Sequence, residues 1–269
     1  MGRISYLNVL PVYHPWKRAS CPRLELVSGP PALLNEMMSR GELHVSSCSC
    51  FEYARRPERY YLVGDLSIGS RGPVMSVLLL SRLPVEELGG HEILISGESH
   101  TSVALLRLLM RDRYKLDVRF STGPVTPPCA RTTRLRPFWP SATKPCACAT
   151  IRTIPTAWIW PKPGVTGQAC LHFRALGGQP GSRGTGPVQQ RPRRLLRRGR
   201  DWGLSHMDVI LDLTGLGCPL SREELRIYYR DGLVYSLGEE ELQGLRLFYK
   251  KLASADMIPA APPLRFFSM

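Results

Sequence analysis

Residues 92–114 read EILISGESHTSVALLRLLMRDRY. Residues 92–96 form an apolar run short enough for a strand, and Gly97 breaks it. Ser99, Thr101 and Ser102 crowd the turn that follows. Residues 103–110 then repeat apolar side chains at a helical period, and Arg111 and Arg113 follow at the carboxyl end, where cations oppose the helix dipole. A strand that turns through hydroxyl groups into a helix is the repeating unit of an α/β fold. The same turn is a helix N-terminus, whose free N–H groups and dipole together favour a carboxylate or phosphate.

Working outward, residues 74–80 are near-continuously apolar, as expected of a central strand covered on both faces. Residues 31–40 predict a helix: Pro31 suits its first turn, Leu33, Leu34, Met37 and Met38 make an apolar stripe, and Gly41 supplies the stop. Residues 43–46 predict the next strand. Residues 3–7 predict a first strand that runs into Asn8-Val9-Leu10-Pro11, where the proline ends regular pairing. Beyond Asp201, residues 207–211 are mostly apolar and Ser221-Arg222-Glu223-Glu224 is an N-cap with acids in the first turn. Gly238 separates that helix from a last one over residues 239–253, with Leu242, Leu245, Phe248, Tyr249 and Leu252 on one face. Residues 259–263 close the fold. No internal repeat is found.

The middle of the chain has a different composition. Between Asp117 and Asp201 there is no Asp or Glu, yet the stretch holds 15 of the 36 Lys and Arg and 12 of the 24 prolines, and so carries the whole net charge of +14. A domain needs carboxylates for caps and solvated faces, and it keeps proline out of its elements. Charge confined to a Pro-rich segment is weaker ground for nucleic-acid binding than a basic face on a folded element, and the arginines at 191–200 have no interleaved stacking aromatics. No nucleic-acid partner is expected. No run reaches the ~18 apolar residues of a membrane span, and no secretory signal opens the sequence. A cytoplasmic location with reduced cysteines is expected, and no membrane partner.

Three places suit chemistry. Ser99, Thr101 and Ser102 at the strand-to-helix turn offer hydroxyls and backbone donors to an anion; the alternative is a plain helix cap. Asn8 follows a buried strand, where ligands sit in α/β sheets; the alternative is a turn-forming Asn. In residues 67–76, Ser70, Gly72 and Ser76 offer hydroxyls and close backbone approach, against a plain loop. Cys146 and Cys148 with Cys170 and His172 do not match structural zinc spacings, so no metal is expected. His44, His91 and His206 are isolated and read as surface or packing residues.

The segments GRISYLNVLPVYHP, CFEYARRPERY, DLSIGSRGPVMSVLLLS, ISGESHTSVALLRLLMRDRY and SREELRIYYRDGLVYSL together resemble chorismate dehydratase of the futalosine route to menaquinone, over residues 2–125 and 199–267. The resemblance implies a periplasmic-binding-protein-like fold of type II. Two α/β lobes are joined by two crossovers, with the ligand in the cleft. It implies a lyase that removes water from chorismate to give 3-[(1-carboxyvinyl)oxy]benzoate, with no metal or organic cofactor and chorismate as its small-molecule partner. The family's asparagine in YLN-x-LP falls on Asn8 and the serine ending GPVMS on Ser76, which are the expected catalytic pair. Ser49, Ser70, Gly72, Ser99, Thr101 and Ser102 are the expected substrate-binding set. Where the family has an aspartate and a P-V-S-S run, this chain has His44 and Ser47-Cys48-Ser49-Cys50.

The implied division puts residues 1–90 and 200–269 in a discontinuous first lobe and 91–199 in a second, of which 127–198 is anomalous. The family's Gly-Asp turn and TGLPF segment are missing there. One codon set for residues 137–147, read one frame over, gives FLAIGDEALR, and in the same frame residues 166–173 yield WTGLP followed by a small residue and Phe. Trp158 has a single codon, and its last base with the first two of Ile159 forces an aspartate. Residues 127–198 are therefore expected to be an out-of-frame translation that begins at Pro127-Pro128 and disrupts the second lobe.

Overall fold

The computed structural model describes residues 1–18, 25–71, 77, 79, 81, 83–95, 100–123, 169–174, 187–215, 218 and 220–266. The first strand, β1 (Gly2–Ile4), is shorter than residues 3–7. Leu7–Val9 winds into a 3-10 turn and α1 (Leu10–Arg18) follows with Pro11 in its first turn. Proline costs nothing there, because the first helical N–H groups have no intrahelical acceptor. Pro11 thus begins a helix where the sequence pattern had it only end a strand.

Next come β2 (Val27–Gly29) and α2 (Pro31–Arg40), whose ends are as expected. Gly41 takes a left-handed φ of 88° and donates its N–H to the Met37 and Met38 carbonyls. Leu34 and Met38 are fully buried, while Leu33 leaves the stripe and is 44 % exposed. The order continues with β3 (Val45–Ser49), α3 (Cys50–Arg55) and β4 (Tyr60–Ile68). Residues 74–80, the expected central strand, lie outside the described residues except Val77 and Leu79.

Then follow β5 (Glu92–Ile95), α4 (His100–Leu108), which passes into a π-helical turn at Leu109–Tyr114, and β6 (Arg119–Thr122). After these come β7 (Ala169–Arg174), α5 (Pro187–Ser205), α6 (Met207–Gly215), α7 (Arg222–Arg230) and α8 (Glu239–Ser254).

The strands form a five-stranded sheet in the order β2-β1-β3-β7-β4 and a two-stranded sheet of β5 and β6. In the larger sheet β1 runs parallel to β2 and β3, while β7 is antiparallel to both β3 and β4. The carboxyl ends of β1, β3 and β4 therefore share one edge, where an α/β sheet takes its ligand. Strand β5 is buried on one face, Ile93 and Ile95 in and Glu92 and Leu94 out, and its inward residues cluster with Leu88 and Met110.

Two elements of the anomalous stretch join the larger body. Strand β7 sits inside the five-stranded sheet, and α5 packs on α1, where Gly203 meets the Pro11 backbone. Residues 194–200 put Leu196 inward at 0 % exposure and Arg197 against the Asp65 carboxylate at 2.7 Å. Leu, Arg and Gln are good helix formers whatever frame they are read from, which accounts for a helix there. The rest of residues 127–198, including the expected frame change at Pro127-Pro128, lies outside the described residues.

The core of the larger body is rich in tyrosine: Tyr13, Tyr53, Tyr60, Tyr228, Tyr229 and Tyr249 are buried, most with a hydroxyl partner. Helix α7 starts in the expected capping box of Ser221 and Glu224, and α8 buries Leu245, Phe248, Tyr249 and Leu252. The smaller body, the β5–β6 sheet with α4 and the π-helical turn after it, is tied to α8 where Lys251 reaches Asp112 at 2.9 Å and Arg111 donates to the Ser254 carbonyl at 3.0 Å, and α4 buries Ala104, Leu105 and Leu108 in the larger core.

Candidate functional site

Asn8 lies in the 3-10 turn just past the carboxyl end of β1. Its side-chain Oδ1 is buried and has no hydrogen-bond donor among the described residues. A buried carbonyl without a donor costs on the order of 1–3 kcal/mol, so the orphan is a feature to be explained rather than a neutral detail. The backbone around it is well held. The Tyr229 hydroxyl donates to the Leu7 carbonyl at 2.9 Å, and the Tyr235 hydroxyl donates to the Asn8 carbonyl at 2.8 Å.

Tyr235 belongs to a segment that runs beside the end of β4. Gly69 and Val234 exchange both backbone hydrogen bonds at 2.8 Å, Ser67 N–H donates to the Tyr235 carbonyl at 3.2 Å, and the Ser67 hydroxyl donates to the Ser236 carbonyl. Ser70, one residue further, is 1 % exposed. The residues after β1 and after β4 are thus brought together by one tyrosine. Arg71 then leaves the sheet and pairs with Glu240 at 3.1 Å and with the buried Glu241 at 2.6 Å.

Ser49 and Thr101 meet at a different place, the first turn of α3. Ser49 Oγ accepts the Glu52 N–H at 3.2 Å as an N-cap. Thr101 Oγ1 accepts the Phe51 N–H at 3.5 Å and lies 3.6 Å from Cys50 Sγ. Both hydroxyls therefore serve the helix, and the turn of α4 packs against α3 through Thr101. Ser102 sits beside it, half-buried. Gly72, Ser76 and Ser99 lie outside the described residues.

The residues that sequence reasoning missed are aromatic and basic. Tyr229 and Tyr235 stand in the quoted SREELRIYYRDGLVYSL segment; a tyrosine inside an otherwise apolar LVYSL run was the signal. Arg3, in β1, keeps Nε and Nη1 buried with no partner, and its burial holds the guanidinium below its ordinary range. Nearby, Tyr13 hydrogen-bonds Ser47 at 2.8 Å, and burial pushes its phenol above the usual value. Burial likewise pushes Tyr235 well up, so it stays a neutral donor.

An open cavity of about 720 Å³ lies beside the edge strand β4, lined by Asp65, Arg71, Arg200, Arg230, Tyr229 and Tyr235 among others. Asn8 does not line it; the two tyrosines stand between. The cavity is large enough for a small molecule, but the orphaned acceptor marks the sheet's carboxyl edge instead, and that edge is the better candidate. Among the described residues, no three His, Cys, Asp or Glu side chains are grouped to hold a metal ion, and no helix is long and apolar enough to cross a membrane. Cys146, Cys148 and the side chains of Cys170 and His172 lie outside the described residues.

Comparison with known proteins fits this arrangement. Residues 1–132 match the family model described as menaquinone biosynthesis. A chorismate dehydratase from Thermus thermophilus is 32 % identical over 112 residues, which are 42 % of this chain and 40 % of that protein. The match thus spans less than half of either chain. Among solved structures, a protein of Archaeoglobus fulgidus aligns with TM-score 0.64 at 14 % identity, over 96 % of this chain and 97 % of its own. A Candida albicans gene product of the generic periplasmic binding protein fold aligns at 0.60, with 8 % identity, over 97 % and 90 %. The periplasmic aliphatic sulphonate binding protein of Escherichia coli aligns at 0.57, with 13 % identity, over 98 % and 89 %. At these identities the structures show the fold alone. The expected α/β, periplasmic-binding-protein-like fold and the resemblance to chorismate dehydratase are both borne out: the chain has that fold, and residues 1–132 match the menaquinone-biosynthesis family model.

Proposed function

We propose that this chain descends from, and in its first 126 residues still encodes, a cytoplasmic chorismate dehydratase. The reaction removes the C4 hydroxyl and the C3 proton of chorismate as water, and the ring becomes the aromatic ring of 3-[(1-carboxyvinyl)oxy]benzoate. The observation that carries this reading is the Asn8 acceptor, buried without a donor, at the sheet's carboxyl edge and inside the matched stretch. An orphaned acceptor suits a ligand hydroxyl, and the hydroxyl that chorismate loses is such a donor. Ser76 is proposed to act with Asn8, while Ser70, just past the end of β4, and Ser49, Gly72, Ser99, Thr101 and Ser102 complete the proposed binding set. The enzyme's task is to hold a diacid and assist departure of hydroxide. The proton at C3 goes to a base, for which a substrate carboxylate is one source, since neither Asn8 nor Ser76 is basic near neutral pH.

The second lobe is proposed to occupy part of residues 91–199, and residues 127–198 to be read out of frame. On that reading the chain as written lacks the Gly-Asp turn and half of the cleft, and does not turn over chorismate. Resequencing codons 125–200 tests it: a base gained or lost in the C-run at Pro127-Pro128 supports it, and an unchanged gene removes it.

A second reading, a non-catalytic small-anion-binding protein of the same fold, is favoured by the lack of a base among the described site residues. Binding of chorismate without product by a frame-restored chain decides for it. The sister dihydroxynaphthoate synthase is disfavoured by the SYLNVLP and RGPVMS segments.

A further inference from the structure

Two hydroxyls hold two consecutive carbonyls of the turn that carries Asn8. Tyr229 donates to Leu7 O at 2.9 Å and Tyr235 to Asn8 O at 2.8 Å. Both rings are buried, at 1 % and 4 % exposure, in a segment 222 and 227 residues away in sequence. Tyr229 is backed by the Thr214 hydroxyl at 3.1 Å, and Tyr235 is backed by the Ser67 N–H on its own carbonyl at 3.2 Å. Neither phenol ionises near neutral pH, because burial raises both, so each remains a donor.

A turn pinned at successive carbonyls cannot rotate its peptide planes, and the side chain between them inherits that rigidity. The Asn8 carboxamide is the group so fixed, and its Oδ1 has no donor among the described residues. We propose that Tyr229 and Tyr235 are positioning residues that fix the Asn8 carboxamide so that its buried Oδ1 is left to accept from a ligand hydroxyl at the sheet's carboxyl edge. Their effect on the ligand passes through Asn8 alone; this ligand role rests on the chorismate reading.

The chain has only two asparagines, Asn8 and Asn35. Selective ¹⁵N-asparagine labelling of the full chain therefore gives two side-chain NH₂ pairs, with Asn35 in α2 as the internal reference. Tyr235→Phe and Tyr229→Phe each shift the Asn8 pair and leave the Asn35 pair in place. In a chain with residues 127–198 restored to the other frame, added chorismate shifts the Asn8 pair, and Tyr235→Phe weakens that binding about tenfold, the worth of one buried hydrogen bond. In an Asn8→Ala background, Tyr235→Phe causes no further loss. Asn8 signals that coincide with wild type in both variants overturn the proposal, as does an equal movement of both asparagine pairs. An Asn8 pair that ignores chorismate in the frame-restored chain but still moves in the Phe variants retires the chorismate reading and leaves the positioning role standing.

Discussion

The Tyr235 hydroxyl lies 2.8 Å from the carbonyl oxygen of Asn8, across 227 positions of sequence. The turn after the first strand is thus completed by the segment between α7 and α8, and that same segment is sewn to the end of β4 at Gly69. Candidate chemistry at one sheet edge therefore depends on the register of a distant segment.

Asn8→Ala should separate binding from stability. Its Oδ1 has no partner among the described residues, so the substitution costs the fold under ~1 kcal/mol, while loss of the ligand's hydrogen bond lowers the chorismate affinity of the frame-restored chain by about 10- to 100-fold. Thermal unfolding and calorimetric titration on one preparation check both numbers. A variant that unfolds early but binds like wild type assigns Asn8 to the fold.

Ser49→Ala should behave as the loss of a helix cap. The Glu52 N–H bond at 3.2 Å is the contact removed, and such caps contribute about 1 kcal/mol. Thr101→Val loses the longer 3.5 Å contact to Phe51 N–H and costs less. Urea midpoints measure this; unchanged midpoints contradict the capping role, and a loss of chorismate affinity beside lowered midpoints shows that the same hydroxyls also reach the ligand.

Asp112 ties the smaller body to α8, and the Arg111 hydrogen bond, with Lys251 next, holds its carboxyl below the ordinary range. A depressed carboxyl contributes stability above its unfolded value of about 3.9, and that stability fades as pH falls through the lower folded value. With Lys251 37 % exposed, the contribution is about 0.5 kcal/mol. Wild type should therefore exceed Asp112→Asn at pH 7 and converge with it in strong acid, below pH ~3. Parallel pH curves contradict the assignment.

Gly203 is where α5 meets α1. A Cβ there would stand 2.6 Å from Pro11 Cα and closer still to the Pro11 carbonyl oxygen. Backbone cannot swing aside, so Gly203→Ala should cost about 1–3 kcal/mol. Gly215→Ala, with open space around it, is the control and should be neutral or slightly stabilising.

How much could be read from the sequence followed from how local each interaction is. Helix α2 was legible to the residue, because Pro31, the pair Leu34 and Met38, and the left-handed Gly41 all act within one helix. The Ser221 cap was legible for the same reason. Asn8 was placed correctly after a buried strand, but the strand was given three residues too many, since Pro11 can open a helix as well as end a strand. Ser49 and Thr101, expected in the substrate-binding set, also satisfy the N-terminus of α3, a partnership between β3 and α4 that no local pattern encodes. The tyrosine clamp on Asn8 was invisible because its partners are more than 200 residues apart.

The most direct measurement is product formation from chorismate, followed by mass spectrometry, for the chain as written and for a chain with residues 127–198 restored to the other frame. The account predicts 3-[(1-carboxyvinyl)oxy]benzoate from the restored chain, reduced at least tenfold by Asn8→Ala, and none from the chain as written. Turnover by the chain as written, or none by a folded restored chain, contradicts it.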